Sequence, residues 1–149
     1  MTTGTAKATQ VYEGGCLCGA IRYRATAAPV RCVICHCSMC RKHSGGPALA
    51  FVHFPAEAFR WTRGEPTRYR SSAFAERGFC SECGSTLSMH ERVLKDRVQV
   101  AVGTLNDAAR VQPDDHVWTQ DQLPWLRLDD DLPKFARNSS AVPSEAADD

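Results

Sequence analysis

A small, mainly antiparallel β domain is what this sequence predicts, and three observations carry that expectation. Short runs alternate apolar and polar side chains with a period of two. Clusters of Gly and Pro separate those runs, as turns do between strands. Eight cysteines gather in tight groups, a pattern suited to metal-binding turns. The 149 residues fit one domain, and 43% hydrophobic residues suffice to bury a core without disulfides.

Residues Met1 to Gln10 carry Thr, Gly, Ala and Lys without periodicity and read as a loose arm over 1–10. That stretch lacks the apolar segment of a secretory leader. No window approaches the ~20 apolar residues of a membrane-spanning helix. A cytoplasmic location, with reduced thiols, is the expectation. The domain proper is expected over 11–137. Within it, Ala20-Ile21-Arg22-Tyr23-Arg24 alternates like a half-buried strand. Ala48 to Phe54 is a mostly apolar run ended by Pro55. Ala58 to Trp61 and Thr67 to Arg70, with aromatic and charged residues mixed, are weaker strand candidates. Arg97 to Val102 places Val98, Val100 and Val102 on one face. The intervening turns are Gly14-Gly15, Gly45-Gly46-Pro47, Arg63-Gly64-Glu65-Pro66 and Gly103-Thr104. Helical periodicity is weak, with room for a single turn at Glu91 to Asp96 or Asn106 to Arg110. Residues 138–149, rich in Ser, Ala, Pro and acids, read as a disordered tail.

The net charge is +1, with Lys and Arg scattered among acids. No basic stripe predicts a nucleic-acid partner, and nothing predicts a membrane partner. The chemistry lies in the cysteines. They fall as Cys16 and Cys18, then Cys32, Cys35, Cys37 and Cys40, then Cys80 and Cys83. Groups of two, four and two suit two separate zinc ions better than one. Cys16 and Cys18 next to Gly19, and Cys80 and Cys83 next to Gly84, each supply half of a tetrahedron. Joined, they make a closed structural site whose binding energy is folding energy. Cys35, Cys37 and Cys40 form C-x-C-x-x-C, and three thiolates leave a fourth position open for catalysis. Cys32 with Cys35 is also a C-x-x-C pair. If Cys32 joins, that second site is closed.

Three stretches then resemble one family. They are Gly15-Cys16-Leu17-Cys18-Gly19-Ala20-Ile21-Arg22-Tyr23, Cys35-His36-Cys37-Ser38-Met39-Cys40-Arg41-Lys42, and Phe79-Cys80-Ser81-Glu82-Cys83-Gly84-Ser85. The chain resembles the glutathione-dependent formaldehyde-activating enzymes, whose domain also occurs in the centromere protein V group. His116-Val117-Trp118, Trp125 and Leu132-Pro133-Lys134-Phe135 look like that family's closing elements. The resemblance implies an Mss4-like, β-tent fold of coiled antiparallel sheets with two Zn2+ ions. It implies a structural zinc on Cys16, Cys18, Cys80 and Cys83, and a catalytic zinc on Cys35, Cys37 and Cys40. Cys32 is left over. It further implies a carbon–sulfur lyase resembling S-(hydroxymethyl)glutathione synthase, with a thiol such as glutathione and an aldehyde such as formaldehyde as partners.

Zinc with three thiolates is anionic overall, and Arg41, Lys42 and His43 follow directly as candidate contacts for an anionic thiol. His36 and His43 are candidates to move a proton, and His116 a weaker one. Trp118 and Trp125 are expected in the core or a pocket wall. The competing reading is a zinc-stabilised binding module without activity.

Overall fold

The computed structural model describes residues 10–139. The expected arm therefore lies outside the described residues up to residue 9, and the expected tail does so from residue 140 onward.

Among the described residues the chain is mainly β, built as two sheets. A three-stranded antiparallel sheet joins β1 (Tyr12–Gly15), β2 (Arg22–Ala25) and β5 (Phe59–Arg63). The second sheet has seven strands in the order β10-β3-β4-β9-β8-β7-β6. These are β3 (Arg31–Cys35), β4 (Leu49–Pro55), β6 (Thr67–Arg70), β7 (Ala75–Phe79), β8 (Thr86–Glu91), β9 (Arg97–Ala101) and β10 (Asp115–Val117). All its neighbours run antiparallel except β3 and β10, which pair in parallel. A long connection returns the chain to β3 for that pairing, as parallel strands require. All five strands expected from the alternation are present, with ends shifted by a residue or two. A short helix, α1 (Ser38–Ser44), was not expected.

Strand alternation splits the large sheet into two working faces. Cys32, Val52, Phe54 and Val100 point to one side. There they pack against Tyr12, Tyr23 and Ala25 of the small sheet. Tyr23, Val52, Phe54 and Val100 are each 1% exposed or less, and such side chains contribute roughly 1.5–3 kcal/mol apiece by burial. Tyr23 stacks on Phe59 and meets Trp61 edge-on, so the small sheet is fastened through aromatic contacts. Val33, Cys35, Phe51 and Met89 point to the other side, with Cys40, Val117 and Trp118. That second face is not sealed by a sheet. It holds a cavity lined by Cys35, Cys37, Cys40 and Arg77, among others.

Candidate metal centres

Two groups of cysteine sulfurs converge, and within each the sulfurs lie within 4.8 Å of one another. All eight cysteines are free thiols.

The first group is Cys16, Cys18, Cys80 and Cys83. Cys16 ends the β1 side and Cys18 lies in the turn before β2. The turn is closed by the Gly19 N–H donating to the Cys16 carbonyl at 3.2 Å, so this pair sits on a bend. Gly19 supplies a φ of 83° there. A matching turn follows β7, where the Gly84 N–H reaches the Cys80 carbonyl at 2.8 Å with Gly84 at φ 80°. The Leu17 N–H donates to Ser85 Oγ and ties the two turns together. Cys16 and Cys18 sulfurs are 3.6 Å apart, and Cys18 and Cys80 sulfurs 3.9 Å. A tetrahedral zinc with bonds of ~2.3 Å spaces its sulfurs by about 3.8 Å, so the donor set fits that ion. Ionisation is already divided among these thiols. The Ser85 hydroxyl and N–H hold Cys83 at about 5. Burial opposes ionisation of Cys16, but the Ile21 N–H and the Cys18 thiol outweigh it and lower its pKa. The Ala20 N–H favours a Cys18 thiolate, yet burial and its thiol neighbours push it to about 11.

The second group is Cys35, Cys37 and Cys40. Cys35 is the last residue of β3, Cys37 is the N-cap of α1, and Cys40 lies in the first turn of that helix. The Cys37 sulfur accepts from the Cys40 N–H at 3.3 Å, the usual capping bond made here by a thiol. One helical turn thus brings Cys40 back over Cys37. Hydrogen bonds from Cys35 and Cys40 drive Cys37 down to about 2, and Arg77 adds to the effect. The same bonds, and then burial, push Cys35 well up. Cys40 gains from Cys35 but is carried to about 11 by Cys37 and burial. The group favours one thiolate, on Cys37, flanked by two thiols, and a bound cation would favour the thiolate form of all three. Arg77 donates to the Cys40 sulfur at 3.5 Å from β7 and is 5% exposed. Its charge persists: burial works against it, but the adjacent sulfurs more than offset that.

Cys32 belongs to neither group. Three residues before Cys35 on one strand, it faces the opposite side and packs with Tyr12, Val52 and Val100. Burial and Asp114 raise its pKa to about 11.

Arg41, Lys42 and His43 occupy the end of α1, where cations suit the helix dipole. Lys42 is exposed; Arg41 and His43 are half-buried, and none of the three lines the cavity beside the sulfurs. Burial and Arg77 lower His43 to about 4. The cation against the sulfurs is Arg77, which no local sequence pattern connects to them.

His36 stands between Cys35 and Cys37, and a buried chain runs outward from it. His36 Nε2 lies 2.9 Å from His116 Nδ1, and His116 Nε2 lies 2.7 Å from Asp130 Oδ2. The carboxylate accepts from His116, so His116 Nδ1 accepts from His36 Nε2–H; the tautomers are assigned from this network. Burial and His116 lower the pKa of His36. The Leu132 N–H and His116 lower that of Asp130. Trp118 walls the same cavity, donates its indole N–H to Asn138 at 3.1 Å, and holds a left-handed φ of 57°. Trp125, expected in the core or a wall, is 67% exposed. No helix among the described residues is long and apolar enough to cross a membrane.

The glutathione-dependent formaldehyde-activating enzyme family model matches residues 11–121. An "uncharacterized lyase" of Schizosaccharomyces pombe is 41% identical over 78 residues, covering 51% of this chain and 55% of that protein. The match therefore spans about half of that relative's length. A Halomonas elongata protein named "Putative glutathione-dependent formaldehyde-activating enzyme" is 27% identical over 126 residues, 78% of this chain and 80% of that one. A crystal structure of a Rhodobacter sphaeroides protein aligns with a TM-score of 0.54 and 25% identity, over 68% of this chain and 91% of that one. The chain belongs to the glutathione-dependent formaldehyde-activating enzyme family.

Proposed function

We propose that this member of the family is a zinc-dependent carbon–sulfur lyase of the S-(hydroxymethyl)glutathione synthase kind. It adds a thiol such as glutathione to formaldehyde or a related small aldehyde. The observation that carries the reading is the contrast between the two sulfur groups. Four thiols close one group, whereas three thiols of the other face a cavity. Cys16, Cys18, Cys80 and Cys83 would hold a structural zinc, and Cys35, Cys37 and Cys40 a catalytic one. Zinc at the second site would supply acidity to an incoming thiol, giving the thiolate that is the reactive form.

The reaction balances simply. The sulfur–carbon bond forms, the carbonyl π bond breaks, and the proton lost by the thiol ends on the new hydroxyl. Arg77 offsets the sulfur-rich negative charge at Cys40 and keeps an anionic substrate from being repelled. Trp118, Phe51 and Val117 wall the cavity and limit water at the carbonyl carbon. Arg41 and Lys42 are proposed as outer contacts that draw an anionic thiol toward α1, with His43, kept neutral by burial and Arg77, as a hydrogen-bonding neighbour. The chain His36–His116–Asp130 fixes the peptide between Cys35 and Cys37, and Asp130 is its solvent-side end.

The test is exchange spectroscopy of the formaldehyde–glutathione equilibrium with the zinc-loaded protein, against a control without protein, since the addition also runs uncatalysed. Faster exchange than the control supports the reading. No acceleration, with two zinc ions bound per chain, would leave the chain as a zinc-stabilised binding module. Elemental analysis of protein purified under reducing conditions decides the ion and its number.

A further inference from the structure

A second cavity, of about 410 Å³, has no cysteine in its walls. That volume is in the range of small-molecule sites. The cavity lies where β6, β7 and β8 meet the turn between β8 and β9, and alternation opens it on the reverse face of the large sheet. Arg77 of β7 and Met89 of β8 line the sulfur-lined cavity, so their neighbours Glu76 and His90 point the other way. Register sets Arg70 of β6 opposite Glu76, and Glu76 opposite His90. This row of three forms one wall of the second cavity. Glu91 and Leu94 stand between the two cavities and line both.

The floor of this cavity is apolar and its rim is cationic. Phe74, Leu94 and Val98 supply the floor. Arg70, Arg92, Lys95 and Arg97 stand around it, against the carboxylates of Glu76 and Glu91. Positive charge is thus in excess here, although the chain as a whole carries only +1. Neither Arg70 nor Lys95 makes an ion pair among the described residues. Glu76, opposite Arg70 in register, lies 3.7 Å from Arg68 on the far side. The Arg92 guanidinium sits over the Phe74 ring, 5.4 Å from its centroid, where rim meets floor. His90 Nε2 is buried without a hydrogen-bond partner. Burial and Arg68 lower His90 to about 4, so its ring is neutral and can donate from Nε2. Like charges gathered around a concave, apolar-floored space repel one another until an anion sits among them. An unsatisfied buried ring nitrogen in the same wall points to the same occupant.

We infer that this cavity is a binding site for an organic phosphomonoester, a dianionic head on a compact apolar body. Arg70, Lys95 and Arg97 neutralise the head, and His90 donates to one of its oxygens from Nε2. The body lies on Phe74, Leu94 and Val98. A phosphomonoester is close to doubly charged at neutral pH, which matches the excess of positive charge better than one carboxylate does. Guanidinium forks also fit phosphate oxygens two at a time. Inorganic phosphate satisfies the rim but leaves the apolar floor uncovered, so the floor selects for an organic substituent. The inference goes beyond thiol addition and does not depend on it, since the row that carries it faces away from the sulfurs.

The test is titration of the zinc-loaded protein with phenyl phosphate, followed by amide shifts in heteronuclear NMR. We expect saturable binding, with shifts at Phe74, His90 and Leu94 and none at Cys35, Cys37 or Cys40. Inorganic phosphate should bind about tenfold more weakly, since it buries no ring. Phenol, which lacks the charge, should give no saturable shift. Arg70 and Lys95 are exposed, so Arg70→Ala and Lys95→Ala should keep the fold and each weaken phenyl phosphate severalfold. Arg60→Ala, which removes an exposed cation from the small sheet, should change nothing. The wild-type series of three ligands needs no variant, so a misfolded variant cannot shelter the inference. Absence of saturation, shifts centred on the cysteines, or equal binding of inorganic phosphate would overturn it. So would equal weakening by Arg60→Ala, which would show a diffuse counter-ion effect. Displacement of phenyl phosphate by glutathione would assign the cavity to the thiol and overturn the inference while leaving the thiol-addition reading intact.

Discussion

The two sulfur groups use the same side chain for different mechanical work. Cys16 and Cys18 are separated from Cys80 and Cys83 by more than sixty residues, and their turns come from different sheets. Closing that group ties the small sheet to the large one. Cys35, Cys37 and Cys40 come from a single strand end and the first turn of a short helix. Closing that group constrains little of the chain, because the backbone already holds it. One group sits where the fold needs a rivet. The other sits beside a cavity, with Arg77 against it and walls of Phe51, Val117 and Trp118. The lesson is that sequence separation, more than ligand type, decides how much of a metal's binding energy becomes folding energy.

The largest effect should therefore come from the first group. Cys80 is 1% exposed, and Cys80→Ser removes a thiol from the group that joins distant segments. Structural zinc contributes on the order of 10–16 kcal/mol in small zinc domains, as much as or more than the whole stability of an ordinary domain. The variant is expected to be unfolded at room temperature by circular dichroism, and wild-type protein stripped by a strong chelator should behave alike. A folded Cys80→Ser variant with a melting temperature near wild type would break the comparison.

Cys37→Ser should sit next, with the effects reversed. We expect one zinc lost per chain and no acceleration of thiol–formaldehyde exchange, while the melting temperature falls far less than in Cys80→Ser. Equal destabilisation by the two substitutions would mean that both groups are structural.

A smaller effect sharpens how the second group is held. His116 is fully buried between His36 and Asp130. His116→Leu keeps most of the volume but orphans the His36 N–H. An unsatisfied buried donor and the lost bonds should cost about 2–4 kcal/mol, read by denaturant unfolding. Zinc affinity at the three-thiol group should drop roughly 10–100-fold, as loss of a supporting partner does, with the four-thiol group unchanged. A stability loss without a change in zinc affinity would show that the chain supports the fold alone.

How much of this was legible in the sequence follows from which signals are local. Alternation exposed β2, β4, β5, β6 and β9, because their apolar residues recur every second position. It missed β7, whose Ala75-Glu76-Arg77-Gly78-Phe79 buries an arginine and a glycine in place of apolar residues. It missed α1, since seven residues are too few for a helical period and only Cys40 is buried. The two converging sulfur groups were legible because each half lies within a few residues. Arg77 and the His116–Asp130 link were not, because only the sheet brings β7 and β10 to the sulfurs. The row from Arg70 through Glu76 to His90 is invisible for the same reason: its three members come from three strands.

Cys32 is the residue on which the sequence was most divided, and it carries the smallest expected effect. As the first member of a C-x-x-C pair it has the spacing of a zinc knuckle. Such a pair converges only where the backbone turns between its members. Here both cysteines lie on β3, an odd number of residues apart, so alternation sends them to opposite faces. Cys32 joins the core beneath the small sheet, with its N–H held by Asp114 at 2.9 Å and not by its side chain. Cys32→Ala removes one sulfur from a well-packed place and disturbs no polar contact. The expected cost is about 1 kcal/mol, the scale for losing one buried methylene-sized group. Zinc content and exchange activity should match wild type. Loss of one zinc per chain in this variant would place the Cys32 sulfur with Cys35 after all. That would close the second group and remove the contrast on which its chemistry rests.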